Sequence, residues 1–189
     1  MVAGYLHADP GQSEQQRRQL RDRAAGRPII GLAWRSANAE YGEYKSLQLK
    51  DFLPLLRQNA FWVDLQYGDT VAERADLLHV APDVQFWHDP EIDPLLDIDA
   101  AASQVAALDL VITSSNTTAH LAGGLGVPTW LLLPAPGYGL LWYWFVEPTD
   151  SIFYPAVRCF RQARAGDWQA VISELEQAFR GWTQSHIHF

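Results

Sequence analysis

A chain of 189 residues at 48% hydrophobic composition is long enough to bury a core and is sized for one globular domain. Its formal net charge of −8 argues against a broad nucleic-acid footprint, which needs a basic face. The single cysteine, Cys159, excludes an internal disulfide and a cysteine-paired zinc site, and favours a reducing, cytoplasmic setting.

Residues 1–27 read as a linker ahead of the domain proper. Met1 to Pro10 has no apolar run behind a basic start, so no signal peptide is expected. Ser13 to Ala25 is polar with little apolar periodicity and reads as a surface helix, into which Arg17, Arg18, Arg21 and Arg23 are crowded, with Arg27 just beyond.

The domain proper is expected over 28–182, with a tail at 183–189. Ile29 to Trp34 predicts a buried first strand, followed by a polar loop from Arg35 to Ser46. A helix is predicted over 49–58, a strand over 61–66, a helix over 71–79 and a strand over 84–87. An alanine-rich helix follows over 99–108, then a strand at 108–112, a small-residue helix, and a strand at 129–133. After an aromatic, proline-rich loop, 156–160 reads as the last strand and 167–180 as a closing helix capped by Asp167.

The uncharged stretch from Leu121 to Val146 is long enough to span a bilayer, but Pro128, Pro134, Pro136 and its glycines break any continuous helix, so no membrane span is expected. His186 and His188 do not form a metal-ligand pattern with His120. The alternation of strands and helices predicts an α/β fold, a doubly wound Rossmann-like parallel sheet of about six strands. Neither a Gly-x-Gly-x-x-Gly after the first strand nor a Walker loop is present.

The segment Ser115-Asn116-Thr117-Thr118-Ala119-His120 sits between a strand and a helix. Its residues are N-cap formers, and the first amides of a helix have no internal acceptor, so the turn can hold an anion with hydroxyls from Ser114, Ser115, Thr117 and Thr118. The same letters also describe an ordinary capped helix with His120 in its core. In a parallel sheet such a turn lies at the carboxyl end of a strand, where ligands bind.

Several of these segments together resemble a known family. They are Ile30-Gly31-Leu32-Ala33-Trp34-Arg35-Ser36, Lys45-Ser46-Leu47, Leu65-Gln66-Tyr67-Gly68-Asp69, the stretch from Asp109 to Leu133, and Tyr154 to Gln162. From about residue 28 to about 180 the chain resembles the carboxyl-terminal half of GT-B glycosyltransferases related to glycosyltransferase family 9, the lipopolysaccharide heptosyltransferases. It is more similar still to the tetratricopeptide-repeat-linked bacterial members.

The resemblance implies a single GT-B half-domain that binds a nucleoside-diphosphate sugar, with no cofactor and no metal, and makes residues 1–27 an interdomain crossover. Donor phosphates would meet Arg35, Ser36, Lys45, Ser115, Asn116, Thr117, Thr118 and His120, and the nucleoside would lie near Gln66, Tyr67, Asp69 and Asp97. Ser115 departs from the aspartate that heptosyltransferases usually carry there. The family's base belongs to the amino-terminal acceptor half, so no catalytic residue is expected here. The partner would be that acceptor domain or a helical-repeat unit, reached through Tyr138, Trp142, Tyr143, Trp144 and Phe145. Two alternatives remain: an inactive GT-B-like interaction module beside helical repeats, and a sugar-nucleotide epimerase, which would need acid/base carboxylates near the sugar.

Overall fold

A computed structural model of the chain describes residues 4–145 and 149–186. In chain order these residues form α1 (Pro10–Ala24), β1 (Ile29–Ala33), α2 (Gly42–Lys45), a 3-10 turn (Leu49–Phe52), α3 (Leu53–Leu56), β2 (Phe61–Asp64), α4 (Val71–Val80) and β3 (Phe86–Trp87). Then come α5 (Ile98–Ala106), β4 (Leu110–Ser114), α6 (Thr117–Leu125), β5 (Thr129–Leu133), a second 3-10 turn (Trp142–Trp144), β6 (Val157–Arg161) and α7 (Trp168–His186). The strands make one six-stranded sheet in the order β3-β2-β1-β4-β5-β6, with every pairing parallel.

Strands β1, β2, β4 and β5 are buried along their whole length, as a sheet covered on both faces requires. On one face Ile30, Leu32, Trp62 and Phe160 pack with Phe52 and Leu55 ahead of and in α3, Leu77 of α4, and Val171, Leu175 and Phe179 of α7. On the other, Ile29, Ala33, Val63 and Val111 pack with Leu20 and Ala24 of α1, Val105 of α5 and Ala122 of α6. This is a doubly wound α/β fold, as the alternation predicted.

The arginine-rich helix α1 is fastened to this second face rather than standing off in solvent. Arg17 donates to the Ala106 carbonyl at 2.6 Å, and Arg21 pairs with Asp109 at 2.6 Å. The other oxygen of Asp109 accepts from the Ile29 amide at 2.8 Å, so one carboxylate joins α1, β1 and the approach to β4. Burying Leu20 completely adds about 1.5–3 kcal/mol to that attachment.

The strands expected over 61–66 and 84–87 are shorter, Phe61–Asp64 and Phe86–Trp87, and two predicted helices differ in extent. The helix expected over 49–58 is a 3-10 turn followed by a single turn of α3, because Pro54 has no N–H to give the Lys50 carbonyl and the i to i−4 ladder fails there. The closing helix runs on to His186, past the expected end at 180, since Val171, Ile172, Leu175, Phe179 and Trp182 continue one apolar face. Asp167 caps it as expected, accepting from the Ala170 amide at 3.1 Å. His188 and the rest of the expected tail beyond 186 lie outside the described residues. No helix among the described residues is long and apolar enough to cross a membrane.

Candidate functional site

The strand order reverses between β1 and β4: the chain runs outward from β1 through β2 to β3, then returns to β4 on the other side of β1. Ala33 pairs with Thr113, so the loops leaving these two strands diverge from adjacent points and leave a crevice. A cleft of about 400 Å³ opens there. Its walls carry Ser36, Lys45, Tyr67, Ser115, Asn116, Thr117, Thr118 and His120, eight of the twelve residues singled out in the sequence.

The turn after β4 is built by Asn116. Its backbone is extended at φ −139°, and its Oδ1 accepts from the Thr118 amide at 2.9 Å, capping α6. Its Nδ2 donates to the Arg35 carbonyl at 3.1 Å, which ties this turn to the loop after β1. The Asn116 amide itself donates to the Ser114 carbonyl at 2.8 Å. Of the three amides expected to meet phosphate, those of Asn116 and Thr118 therefore have protein acceptors. The Thr117 amide, at the first position of α6, has no intrahelical acceptor, and the positive end of the helix dipole lies there.

The loop after β1 was expected to be irregular, yet it holds the short helix α2, which brings Lys45 to the cleft. The loop folds tightly because Gly42 lets its backbone close on Ser36; a Cβ at 42 would lie 2.6 Å from the Ser36 carbonyl oxygen. Ser46 clamps the same fold, donating to the Gly42 carbonyl at 2.7 Å and accepting from the Ser36 amide at 2.9 Å. The Tyr67 hydroxyl accepts from the Ala37 amide at 2.7 Å.

Lys45 is only 3% exposed, and no carboxylate lies within 4 Å of its ammonium among the described residues. Burial alone lowers its pKa from the ordinary lysine value. A buried cation without a counter-ion costs free energy unless an anion enters beside it.

His120 lies one turn into α6. Its Nδ1 is 2.8 Å from the Tyr154 hydroxyl, and its ring stacks on Trp144 at 5.0 Å and meets Tyr143 edge-on at 5.2 Å. Burial, and then the positive charge of Lys45, lower its pKa from 6.5, so the ring is neutral at pH 7. The Ser115 hydroxyl accepts from the Trp144 indole N–H at 2.9 Å, so it anchors the aromatic loop. The Trp144 carbonyl accepts from Arg161 at 2.7 Å. Trp144 is buried, whereas Tyr138 and Trp142 face solvent.

Four residues singled out in the sequence do not line the cleft. Arg35 turns its guanidinium away to Glu73, at 3.1 Å, and to the Asp69 carbonyl, at 2.8 Å. Gln66 is buried, and its Oε1 accepts from the amides of Trp34 and Arg35 at 2.9 and 2.8 Å, an anchor for the loop after β1. Asp69 accepts from the Val71 amide at the start of α4, and Asp97 caps α5 through the Ala100 amide. Gln66, Asp69 and Asp97 each serve a backbone amide that a strand end or helix start leaves unpaired, whereas Arg35 is held by a carboxylate and a distant carbonyl.

The cleft also has an apolar wall that the sequence reading missed: Pro94, Leu95, Ile98, Leu121 and Leu141, with Tyr143 beside them. The signal was available in Pro94-Leu95-Leu96, an apolar run in a loop, where Leu95 and Leu96 stand in solvent. Among the described residues, no Asp or Glu lines the cleft.

Comparison with solved structures identifies the fold. The C-terminal domain of a glycosyl transferase group 1 family protein (LpcC) from Francisella tularensis superposes with a TM-score of 0.53 at 13% identity, covering 99% of this chain and 92% of that one. The chain has the fold of a single Rossmann-like GT-B half-domain. The ADP-heptose lps heptosyltransferase II of E. coli gives a TM-score of 0.58 at 14% identity over 93% of this chain and 54% of that chain. Protein FlbA of Caulobacter vibrioides is 32% identical over 185 residues, which are 96% of this chain and 30% of FlbA. The chain thus spans under a third of that relative and about half of the heptosyltransferase. No family model matches the sequence.

Proposed function

We propose that this GT-B half-domain is the donor-binding part of a glycosyltransferase and that its cleft holds a nucleoside-diphosphate sugar. The observation that carries this reading is Lys45, a largely buried lysine without a carboxylate partner, on the same cleft as the free N-terminal amide and hydroxyls of α6. A diphosphate between them would neutralise the lysine and meet the helix dipole, and the same groups would stabilise the charge that grows on the leaving diphosphate during transfer. The apolar wall from Pro94 to Ile98 offers a surface for the nucleoside.

Among the described residues no carboxylate lines the cleft, which accords with a base supplied by another domain and gives no support to an epimerase, which needs acid/base carboxylates at the sugar. The exposed aromatic face at Tyr138 and Trp142 suits contact with an amino-terminal acceptor domain or a helical-repeat partner of the tetratricopeptide type. On this reading the protein is bacterial and works in the cytoplasm. A module that binds the donor without transfer is the second reading, favoured by Ser115, whose hydroxyl serves Trp144 and supplies no carboxylate.

Titration calorimetry of this chain with ADP, UDP, GDP and CMP tests the proposal. One nucleoside diphosphate is expected to bind, with an affinity that falls as salt rises and falls again in Lys45→Ala. Absence of binding by all four at millimolar concentration overturns it.

A further inference from the structure

We propose that Tyr154 is a positioning residue that holds His120 in the tautomer whose Nε2–H is presented to the cleft, so that a neutral imidazole donates to the bound diphosphate beside Lys45. The role assigned to that hydrogen bond rests on the donor-binding reading above; the tautomer itself does not.

The argument begins with a ring that has one nitrogen occupied. His120 lines the cleft, and its Nδ1 lies 2.8 Å from the Tyr154 hydroxyl. Among the described residues nothing takes Nε2, which leaves it as the ring nitrogen open to a ligand. Stacking on Trp144 and the edge contact with Tyr143 prevent the ring from turning over.

Tyr154 is seated with equal firmness. It is 9% exposed, and its ring lies against the backbone of α6 at Gly123, where a Cβ would come 2.8 Å from its Cγ. Tyr5 stacks on it at 6.0 Å and 26°, its amide donates to the Ser151 hydroxyl, and its carbonyl accepts from the Val157 amide. A side chain fixed on so many sides delivers its hydroxyl to one point, and that point is Nδ1.

A hydroxyl can meet a neutral imidazole nitrogen as donor or as acceptor. The nitrogen lone pair is the stronger acceptor of the two groups, and burial, reinforced by Tyr5 and Tyr143, raises the phenol pKa and keeps its proton in place. The phenol therefore donates to Nδ1, and the ring proton resides on Nε2. The opposite arrangement would turn a lone pair toward the cleft and repel a phosphate. Tyr154 thus decides whether His120 attracts or repels the anion, although it does not line the cleft itself.

The tautomer is read in protein labelled with 15N-histidine by two-bond proton–nitrogen spectra, with His120→Gln assigning the signal. The free wild type is expected to show Nδ1 unprotonated and Nε2 protonated, and Tyr154→Phe to show a mixture of the two tautomers. ADP binding is expected to weaken about five-fold in Tyr154→Phe, but not when the same change is made in His120→Gln, whose amide donates without needing Tyr154. A wild-type His120 protonated at Nδ1, or a tautomer unchanged in Tyr154→Phe, overturns the positioning role. Failure of the wild type to bind ADP and the other nucleotides, with the Nε2–H tautomer present, overturns the donor-binding reading and leaves the positioning role supported.

Discussion

Asn116 and Arg35 are hydrogen bonded across the point where the strand order reverses, the Asn116 Nδ2 donating to the Arg35 carbonyl at 3.1 Å. The bond joins the only two loops that this topology places beside one another at the carboxyl edge of β1 and β4, and it holds Lys45 and α6 on the same cleft. Arg35 contributes through its backbone, while its charge is spent on Glu73.

Lys45 is expected to separate binding from folding. Lys45→Met removes a buried charge that has no counter-ion, so the ligand-free protein should melt roughly 2–4 °C higher, the displacement expected for about 1 kcal/mol in a domain of this size. The same substitution should weaken nucleoside-diphosphate binding by about 1–3 kcal/mol. Calorimetry and thermal melting on one preparation check both signs, with Lys50→Met, in the next turn, as the comparison.

Gln66 is expected to behave in the opposite way. Gln66→Ala leaves the amides of Trp34 and Arg35 without their acceptor inside the fold, at a cost of about 2–3 kcal/mol. Urea unfolding measures it. Wild-type stability in this variant would mean that the loop after β1 does not depend on that side chain.

These two residues mark the limit of what could be read in advance. Hydrophobic period and β-branched runs are properties of a segment, so β5 was found at 129–133 to the residue and the doubly wound sheet followed from the alternation. The direction of a single polar side chain depends on which neighbouring backbone groups lack partners, and that is fixed only when strands pair. Gln66 and Arg35 lie at strand ends on the correct edge, yet both turn toward backbone or carboxylate groups outside the cleft. Lys45 was recognisable through the resemblance carried by Lys45-Ser46-Leu47, and its helix α2 was not, since four residues leave no periodicity to read.

His120 gives a pH dependence with a defined sign. Its folded pKa is lowered by burial and then by Lys45, so below 6.5 the unfolded chain takes up the proton before the native protein does. Stability is therefore full above pH 6.5 and is lost as pH falls from there through the folded value. His120→Asn should remove that slope from the melting temperature between pH 7.5 and 5. Asp64 acts in the contrary sense and lower window: burial raises its carboxyl pKa from 3.8, so stability from that group falls as pH climbs above 3.8. Comparing His120→Asn with wild type across the range separates the two.

Gly123→Ala tests the seat of Tyr154. The new methyl would press on the Tyr154 ring at 2.8 Å, with Tyr5 stacked against that ring. A loss of about 1–3 kcal/mol in chemical denaturation is expected, as for other overpacked sites. A neutral result would show that the ring yields without cost.

The pairing of β1 with β4 has a further consequence in time. The bond from the Ile29 amide to Asp109 joins residues 80 apart in sequence, and the intervening chain must find its own place on the sheet before this closure is rewarded. An emerging polypeptide that has released β1, β2 and β3 therefore carries Lys45 with no turn to face it. The anion-facing turn comes into being only when β4 and α6 arrive, so occupancy by an anion would report that the two sides of the sheet have met and would oppose their separation.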